Sequence, residues 1–492
     1  MLTGPTGTHS TKDCKMNKPL LTGAGVTLVA LGVAPYFIGS SVQDNVNEAV
    51  SELNKQAVYS AEVLSYDKGW FSTTAEVKLA FDFQAIFNAQ NIDPAEVPLE
   101  ENPSITATLV AHHGPVYFGD GVGLGRVHYT MSIDGGELRE YVQWDAQQPI
   151  YHNEGVVGLF GGLSYKDVIP ALSATNEEEG FTLLFSGYSG EAKPEGGQTL
   201  YTSSGESLSI NADEFSMNMA NLSMDVTYDG SMVEAFKGEL FESKVKALIE
   251  TMEVSGLEAG ETVQLENIAL VTDTEIDEST NTANVYVEYA IDKVVGPELE
   301  ASDMMLGVAL NNLDVDFIKA YQDFSNTSLM IPSEEVPAKM MEFVEANLLP
   351  QLKVEPELNI TKLKATLPEG SFTAYANTKL VGIDALPGTM EDVAFWVTHL
   401  LANAEITADK AFAQSVASGY MMGQLMATPQ AQNMTAEELE AAVEQQTPMV
   451  LSTFAQQGLI KETEKGYETK LELKDGKASV NGTPIPLPFA PQ

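Results

Sequence analysis

The chain has 492 residues, 26 of them Lys or Arg and 70 Asp or Glu, for a formal net charge of −44. That balance excludes nucleic acid as a partner, because neutralising phosphates takes clustered cations, and it argues against a broad electrostatic grip on anionic lipid. With 44% hydrophobic and 20% charged residues this is a folded protein of about two to four domains, and its one cysteine, Cys14, leaves no internal disulfide framework and no cysteine-ligated metal.

Pro19–Gly39 carries no charge and matches the roughly 20 residues that a membrane-crossing helix requires. Lys12, Lys15 and Lys18 precede it, opposed only by Asp13, while Asp44, Glu48 and Glu52 follow. The positive-inside rule therefore makes residues 1–18 a cytoplasmic tail and 19–39 a single-pass anchor, with the bulk of the chain across the membrane. A cleaved signal peptide is the competing reading, with small residues at Ala30, Ala34 and Ser40, although Pro35 would directly follow a cut at Ala34. Cys14 precedes the apolar run, where a lipoprotein cysteine would follow it. Met16 opens the same charged-then-apolar pattern and is a second candidate start.

Across residues 40–57, Val42, Val46, Ala49, Val50, Leu53 and Ala57 share one helical face. The helix serves as a stalk or packs on the first sheet, and Val42, Val46, Val50 and Leu53 are candidates for self-association into a homo-oligomer. The period then changes to two. Ala75, Val77, Leu79, Phe81 and Phe83 alternate with polar neighbours, after a turn at Asp67-Lys68-Gly69 that joins a strand near Tyr59–Ser65. Further strands are predicted at Ile105–Val110, Arg126–Ile133, Phe181–Ser186, Glu214–Met219, Leu222–Tyr228, Thr262–Leu270, Asn284–Ile291, Leu358–Leu367, Ser371–Val381 and His399–Asp409. Asp273–Thr282 reads as an exposed loop. Helices are predicted at Glu234–Met252, at Glu335–Leu349 ending on Pro350, after the cap Asp409, and after the capping box Thr435–Glu438, with Pro448 kinking the last and Gly458 ending it. A hairpin through Leu471–Leu473 and Ala478–Val480 closes the chain.

The fold reading is α+β: an N-terminal transmembrane anchor helix, then a large, mainly antiparallel β meander with C-terminal helices. Residues 40–240 form an N-terminal β-rich lobe and 241–492 a C-terminal α+β lobe. Tyr66 with Gly69-Trp70-Phe71, His113-Gly114-Pro115, Asn312-Leu313-Asp314, Gly458-Leu459-Ile460 and Val480-Asn481-Gly482 stand in an order that resembles the YdgA-like family of Gram-negative envelope proteins. The resemblance covers nearly the whole chain from Met16 and implies an inner-membrane anchor with a large periplasmic part. It brings no catalytic residues with it.

Chemical motifs are sparse. His112, His113, His128 and His152 could be zinc ligands, but 112 and 113 point to opposite faces of a strand, and they read as sheet-face histidines. Gly119–Gly125 matches neither dinucleotide nor P-loop spacing and reads as a hairpin loop. Gly187-Tyr188-Ser189-Gly190 is one residue short of a nucleophile elbow, and Asp273, Glu275 and Asp277 lack the remainder of a calcium loop. No catalytic, cofactor or metal residue is assigned. Trp70 and Phe71, with Tyr66, are candidates for the membrane interface, against a commoner role as core. Met217, Met219, Met224, Met421, Met422 and Met426 are candidates for an adaptable groove, against ordinary core filling. The function these features favour is a binding or scaffold protein of the envelope, presenting a β surface to a lipid, a polypeptide or a partner subunit. The alternative is an envelope hydrolase using paired carboxylates.

Overall fold

The computed structural model describes residues 42–55, 59–81, 104–118, 122–176, 180–213, 215–229, 240–256, 261–297, 299–328, 330–428 and 434–487. The proposed anchor at 19–39, Cys14 and Met16 lie outside the described residues. Among the described residues no helix is long and apolar enough to cross a membrane.

Helix α1 (Val42–Leu53) buries Val42, Val46, Ala49 and Leu53, the face that the apolar spacing predicts. It packs on β1 (Tyr59–Lys68), which pairs with β2 (Ser72–Phe81) and through it with β3 (Ser104–His113). The short hairpin β4 (Val116–Phe118) and β5 (Val122–Leu124) stands apart from the main sheet. The chain continues through β6 (Val127–Ile133), β7 (Gln143–Trp144), β8 (Tyr151–Val157), β9 (Leu163–Ile169), β10 (Leu172–Asn176), β11 (Phe181–Phe185) and β12 (Tyr188–Glu195). Then come six long strands: β13 (Gln198–Asn211), β14 (Ser216–Asp229), β15 (Glu242–Ser255), β16 (Thr262–Asp277), β17 (Thr282–Val295) and β18 (Glu300–Asp314). Helices α2 (Val315–Ser328) and α3 (Val336–Lys353) lead to β19 (Glu357–Leu367) and β20 (Gly370–Leu380). The C-terminal part is α4 (Val393–His399), β21 (Leu400–Asp409), α5 (Lys410–Met426), α6 (Ala436–Gln456), β22 (Lys461–Glu462), β23 (Gly466–Lys474), β24 (Lys477–Val480) and β25 (Thr483–Ile485).

Every strand pairing is antiparallel. The sheet runs without a break in the order β1, β2, β3, β6, β8, β9, β12, β13, then through successive strands to β21, and on to β23, β24 and β25. It forks once. The first half of β13 pairs with β12, and the second half with β11, which carries β10 and β7. The β14–β15 ladder is paired from Ser216–Ser255 to Asp229–Glu242. The principal core lies under α1 and the first strands, with Leu109, Tyr129, Met131, Ile133 and Tyr151 almost fully buried.

Three predicted elements are corrected. Residues 242–252, read as part of a helix, are strand β15, and 234–239 lie outside the described residues. Asp273–Asp277, read as loop, belong to β16, where Asp273 faces Lys244 on β15 at 2.8 Å. Helix α3 does not stop at Pro350 but runs to Lys353. The Gln351 side chain holds that last turn by accepting from Asp314 N at 2.8 Å and donating to Asn312 O at 3.0 Å. The two C-terminal caps are as the sequence indicates. Asp409 accepts from Phe412 N at 2.9 Å, and Thr435 and Glu438 form a reciprocal capping box. Thr435→Ala is expected to weaken the start of α6 by about 1 kcal/mol. Faster hydrogen exchange confined to the first amides of α6 is the measurement that checks it.

Candidate functional site

The long strands build a two-faced surface. Residues directly opposite one another on antiparallel strands share a face, so the register can be read across the sheet. One row passes from Met224 through Ala247, Leu270, Tyr289, Leu306, Leu363 and Ala374 to Ile406. The next passes from Val226 through Val245, Thr272, Val287, Val308, Ile360, Ala376 and Ala404 to Leu471. Leu222, Ile249, Ile268, Ile291 and Met304 make a third. At roughly 4.8 Å per strand, the first row is roughly 34 Å long. The opposite face is more polar, with Thr227, Lys244, Asp273, Tyr286, Ala309, Asn359, Asn377 and Asn403 in one row and ion pairs between Lys244 and Asp273 and between Lys293 and Glu266, although a row of Leu248, Ala269, Ala290 and Met305 also crosses it.

The helices' main sheet contacts fall on β1, β18, β20, β21 and β23. The apolar rows on β14–β17 remain half-buried and in places open. Tyr289 is 54% exposed, and Leu358, Ile406 and Leu471 on the same face are also exposed. Aliphatic surface of this extent is a place where apolar matter can be taken out of water.

The first row continues in the other direction into a polar, buried cluster. Met224 lies opposite Ser203, Ser203 opposite Gly190, Gly190 opposite Asp167 and Asp167 opposite Asn153. Asp167 is 3% exposed and accepts from Tyr201 Oη at 3.2 Å and from Tyr151 Oη at 3.5 Å. Tyr165 stacks on Tyr201 with ring centroids 5.7 Å apart. Two glycines make the room. A Cβ at Gly190 would stand 2.3 Å from both Asp167 and the Tyr201 hydroxyl, and one at Gly155 would stand 2.5 Å from the Tyr129 ring. Burial pushes the Asp167 carboxyl up to about 6, against the lowering effect of its hydrogen bond from Tyr151. Burial, and then the Asp167 charge, raise the Tyr151 and Tyr188 hydroxyls. Among the described residues no cation pairs with Asp167, and the side chains that donate to it are phenols.

The residues singled out from sequence are scattered. Trp70 and Phe71 are exposed at the β1–β2 turn, whereas Tyr66 packs against the principal core. Val42, Val46 and Leu53 are buried in that core and Val50 packs on it, so the face considered for self-association is covered by the same chain. His112 and His128 are register neighbours with rings 5.9 Å apart, while His113 turns to the other face and its Nε2 pairs with Thr73 Oγ1 at 2.9 Å. His128 Nε2 pairs with Glu154 Oε1 at 2.9 Å under the stacked ring of Tyr117. Among the described residues no group of three His, Cys, Asp or Glu is placed to hold a metal ion. Ser189 is a strand residue opposite Ser204 and Val168, not the apex of a turn. Residues 119–121 of the glycine-rich segment lie outside the described residues. Met217, Met219 and Met224 are half-buried on β14, and of these Met224 belongs to the long apolar row. Met421 and Met422 are half-buried on α5, where Met426 is exposed. Glu206 and Glu250 also line a depression of about 810 Å³ at the fork of the sheet. There Asn221 Nδ2 donates to Glu250 at 2.6 Å.

These features define a class, an antiparallel β-dominated α+β protein whose long strands expose an apolar face. The chain belongs to a family described as bacterial protein of unknown function (DUF945), whose model matches residues 16–488. No curated protein and no solved structure shows detectable similarity to it.

Proposed function

We propose that this protein holds long-chain lipid on the apolar face of strands β14–β21, as a YdgA-like, inner-membrane-anchored protein of the bacterial periplasm. The observation that carries the reading is the set of continuous aliphatic rows, half-exposed over roughly 34 Å. Acyl chains suit such a face better than a polypeptide does. Within the ladder the backbone donors and acceptors are already paired, so the face offers apolar contact without the main-chain hydrogen bonds that a bound strand takes from a sheet edge. The chain's acidity fits a ligand whose head stays at the rim, away from the body of the protein.

Tyr289→Glu, Leu358→Glu and Ile406→Glu test this together. All three positions are exposed, so the fold tolerates them. Each removes about 1.5 kcal/mol or more of apolar contact, and about 1.4 kcal/mol corresponds to tenfold in affinity. Lipid extracted from the purified wild-type chain and quantified by mass spectrometry is expected to fall at least about tenfold in the triple variant, with an unchanged circular dichroism spectrum. Equal lipid in both proteins, or none in the wild type, would falsify the reading.

A further inference from the structure

Three turns of the N-terminal strands come together at one end of the sheet. Ser72 lies opposite His112, His113 opposite Val127, Val127 opposite Val157, and Val157 opposite Leu163, so these strands end level with one another. Phe71 O accepts from His113 N at 2.8 Å, and Arg126 Nε donates to Leu159 O at 3.0 Å, which ties the β1–β2 turn, the base of the β4–β5 hairpin and the β8–β9 turn side by side. Four strand spacings separate the first turn from the last, a span of roughly 19 Å. From this end project Trp70, 94% exposed, and Phe160, 100% exposed, with Phe71, Val122 and Leu124 also largely in solvent. An apolar cluster of this size on a soluble surface marks a contact site.

Charge distinguishes this end from the rest of the molecule. The chain carries 70 acidic residues. Yet Gly69–Thr74, Gly114–Phe118, Val122–Val127 and Val157–Ser164 contain no carboxylate and one cation, Arg126, and the exposed Asp67 and Lys68, level with Thr74 and Thr73 on β1, offset one another. Asp120, between the second and third of these, lies outside the described residues. An acidic body is repelled by anionic lipid, so a surface that meets a bilayer has to be the one freed of acids. Tryptophan and phenylalanine on turns are also the side chains that settle at the headgroup level.

We infer that this end of the sheet dips into the interface of a lipid bilayer, with Trp70, Phe71 and Phe160 as the inserted side chains. The surface is separate from the apolar face of β14–β21 and does not depend on it. The test uses the full chain with Cys14→Ser and a single nitroxide-labelled cysteine at Trp70→Cys or Phe160→Cys, in vesicles of equal parts phosphatidylethanolamine and phosphatidylglycerol. Glu278→Cys, at the exposed turn between β16 and β17, is the aqueous reference. Labels at 70 and 160 are expected to gain accessibility to oxygen and lose accessibility to a water-soluble nickel complex, while the label at 278 stays water-like. Water-like values at both 70 and 160, whether or not the chain stays with the vesicles, overturn the inference. Because the labels report depth rather than lipid content, failure here is distinguishable from failure of the lipid-holding reading.

Discussion

Asp167→Asn is expected to stabilise the protein at neutral pH by up to about 3 kcal/mol, and to leave it unchanged in acid. The buried carboxyl holds its proton up to about pH 6, whereas in the unfolded chain it titrates near the ordinary Asp value of 3.8. Between those values the folded state binds more protons than the unfolded one, so this group's contribution falls as pH rises through the window and is flat above it. Burial is the cause, and it outweighs the lowering effect of the hydrogen bonds from Tyr151 and from the residue's own backbone, with no cation beside it among the described residues. Asparagine keeps an acceptor for the Tyr201 or Tyr151 hydroxyl and carries no charge. The measurement is the difference in unfolding free energy between variant and wild type across pH. That difference opens from zero near pH 4 and levels off above about pH 6, because the other carboxylates cancel in it. A variant less stable than wild type at neutral pH would mean that the ionised form is held by its hydrogen bonds more tightly than burial weakens it.

The alternation that revealed β3, β6, β17, β19 and β20 in the sequence is broken in β14, β15, β16 and β18 for a reason visible in the backbone. Asn221, Asn267 and Asp303, on β14, β16 and β18, have φ of 54°, 52° and 52°. Asparagine and aspartate tolerate this left-handed conformation better than other residues with side chains. Asn221 and Asn267 bond Glu250 and Asp292 on the neighbouring strands, and Asp303 pairs with Lys364. At each of these positions the apolar phase slips by one residue. On β14 it passes from Met217 and Met219 to Leu222, Met224 and Val226, which from sequence looks like two strands and a turn. On β15 the slip turns Val245, Ile249 and Met252 into an i, i+4, i+7 pattern, which is helical spacing. With Lys, Glu and Ala around it, that segment imitates a helix that the β14 and β16 ladders override. The apolar rows were therefore legible residue by residue but not as a surface, because their assembly depends on register. The Asp167 cluster was illegible for the same reason, since its members come from five strands. Trp70 and Phe71 were legible as a pair, but their neighbours Phe160 and Leu124 lie far along the chain and reach them only because the strands end level.

Val46→Asp is expected to destabilise the protein by at least about 3 kcal/mol, because an unpaired carboxylate would be forced into a site of 0% exposure. The substitution separates two uses of the α1 face. Helix α1 carries Val42, Val46, Ala49 and Leu53 against β1 and the strands beyond it, in one cluster with Ala61, Ala75, Val77, Leu109 and Tyr129. Asn54 fastens the end of the helix to the sheet, its side chain donating to Ala61 O and accepting from Ala61 N, each at 2.8 Å. If these contacts supply the stability, a charge at 46 detaches the helix and opens the core beneath it. Denaturant midpoint and near-ultraviolet dichroism then fall together, whatever the oligomeric state. A helix face that instead met a second copy of the chain would give the opposite pattern. The variant would keep its unfolding midpoint and near-ultraviolet spectrum, while light scattering showed a lower mass than wild type. The burial of Val46 inside its own chain makes loss of the fold the expected result. Val46→Leu, which adds one methylene and no charge, controls for size and is expected to cost about 1–3 kcal/mol through overpacking, without separating copies.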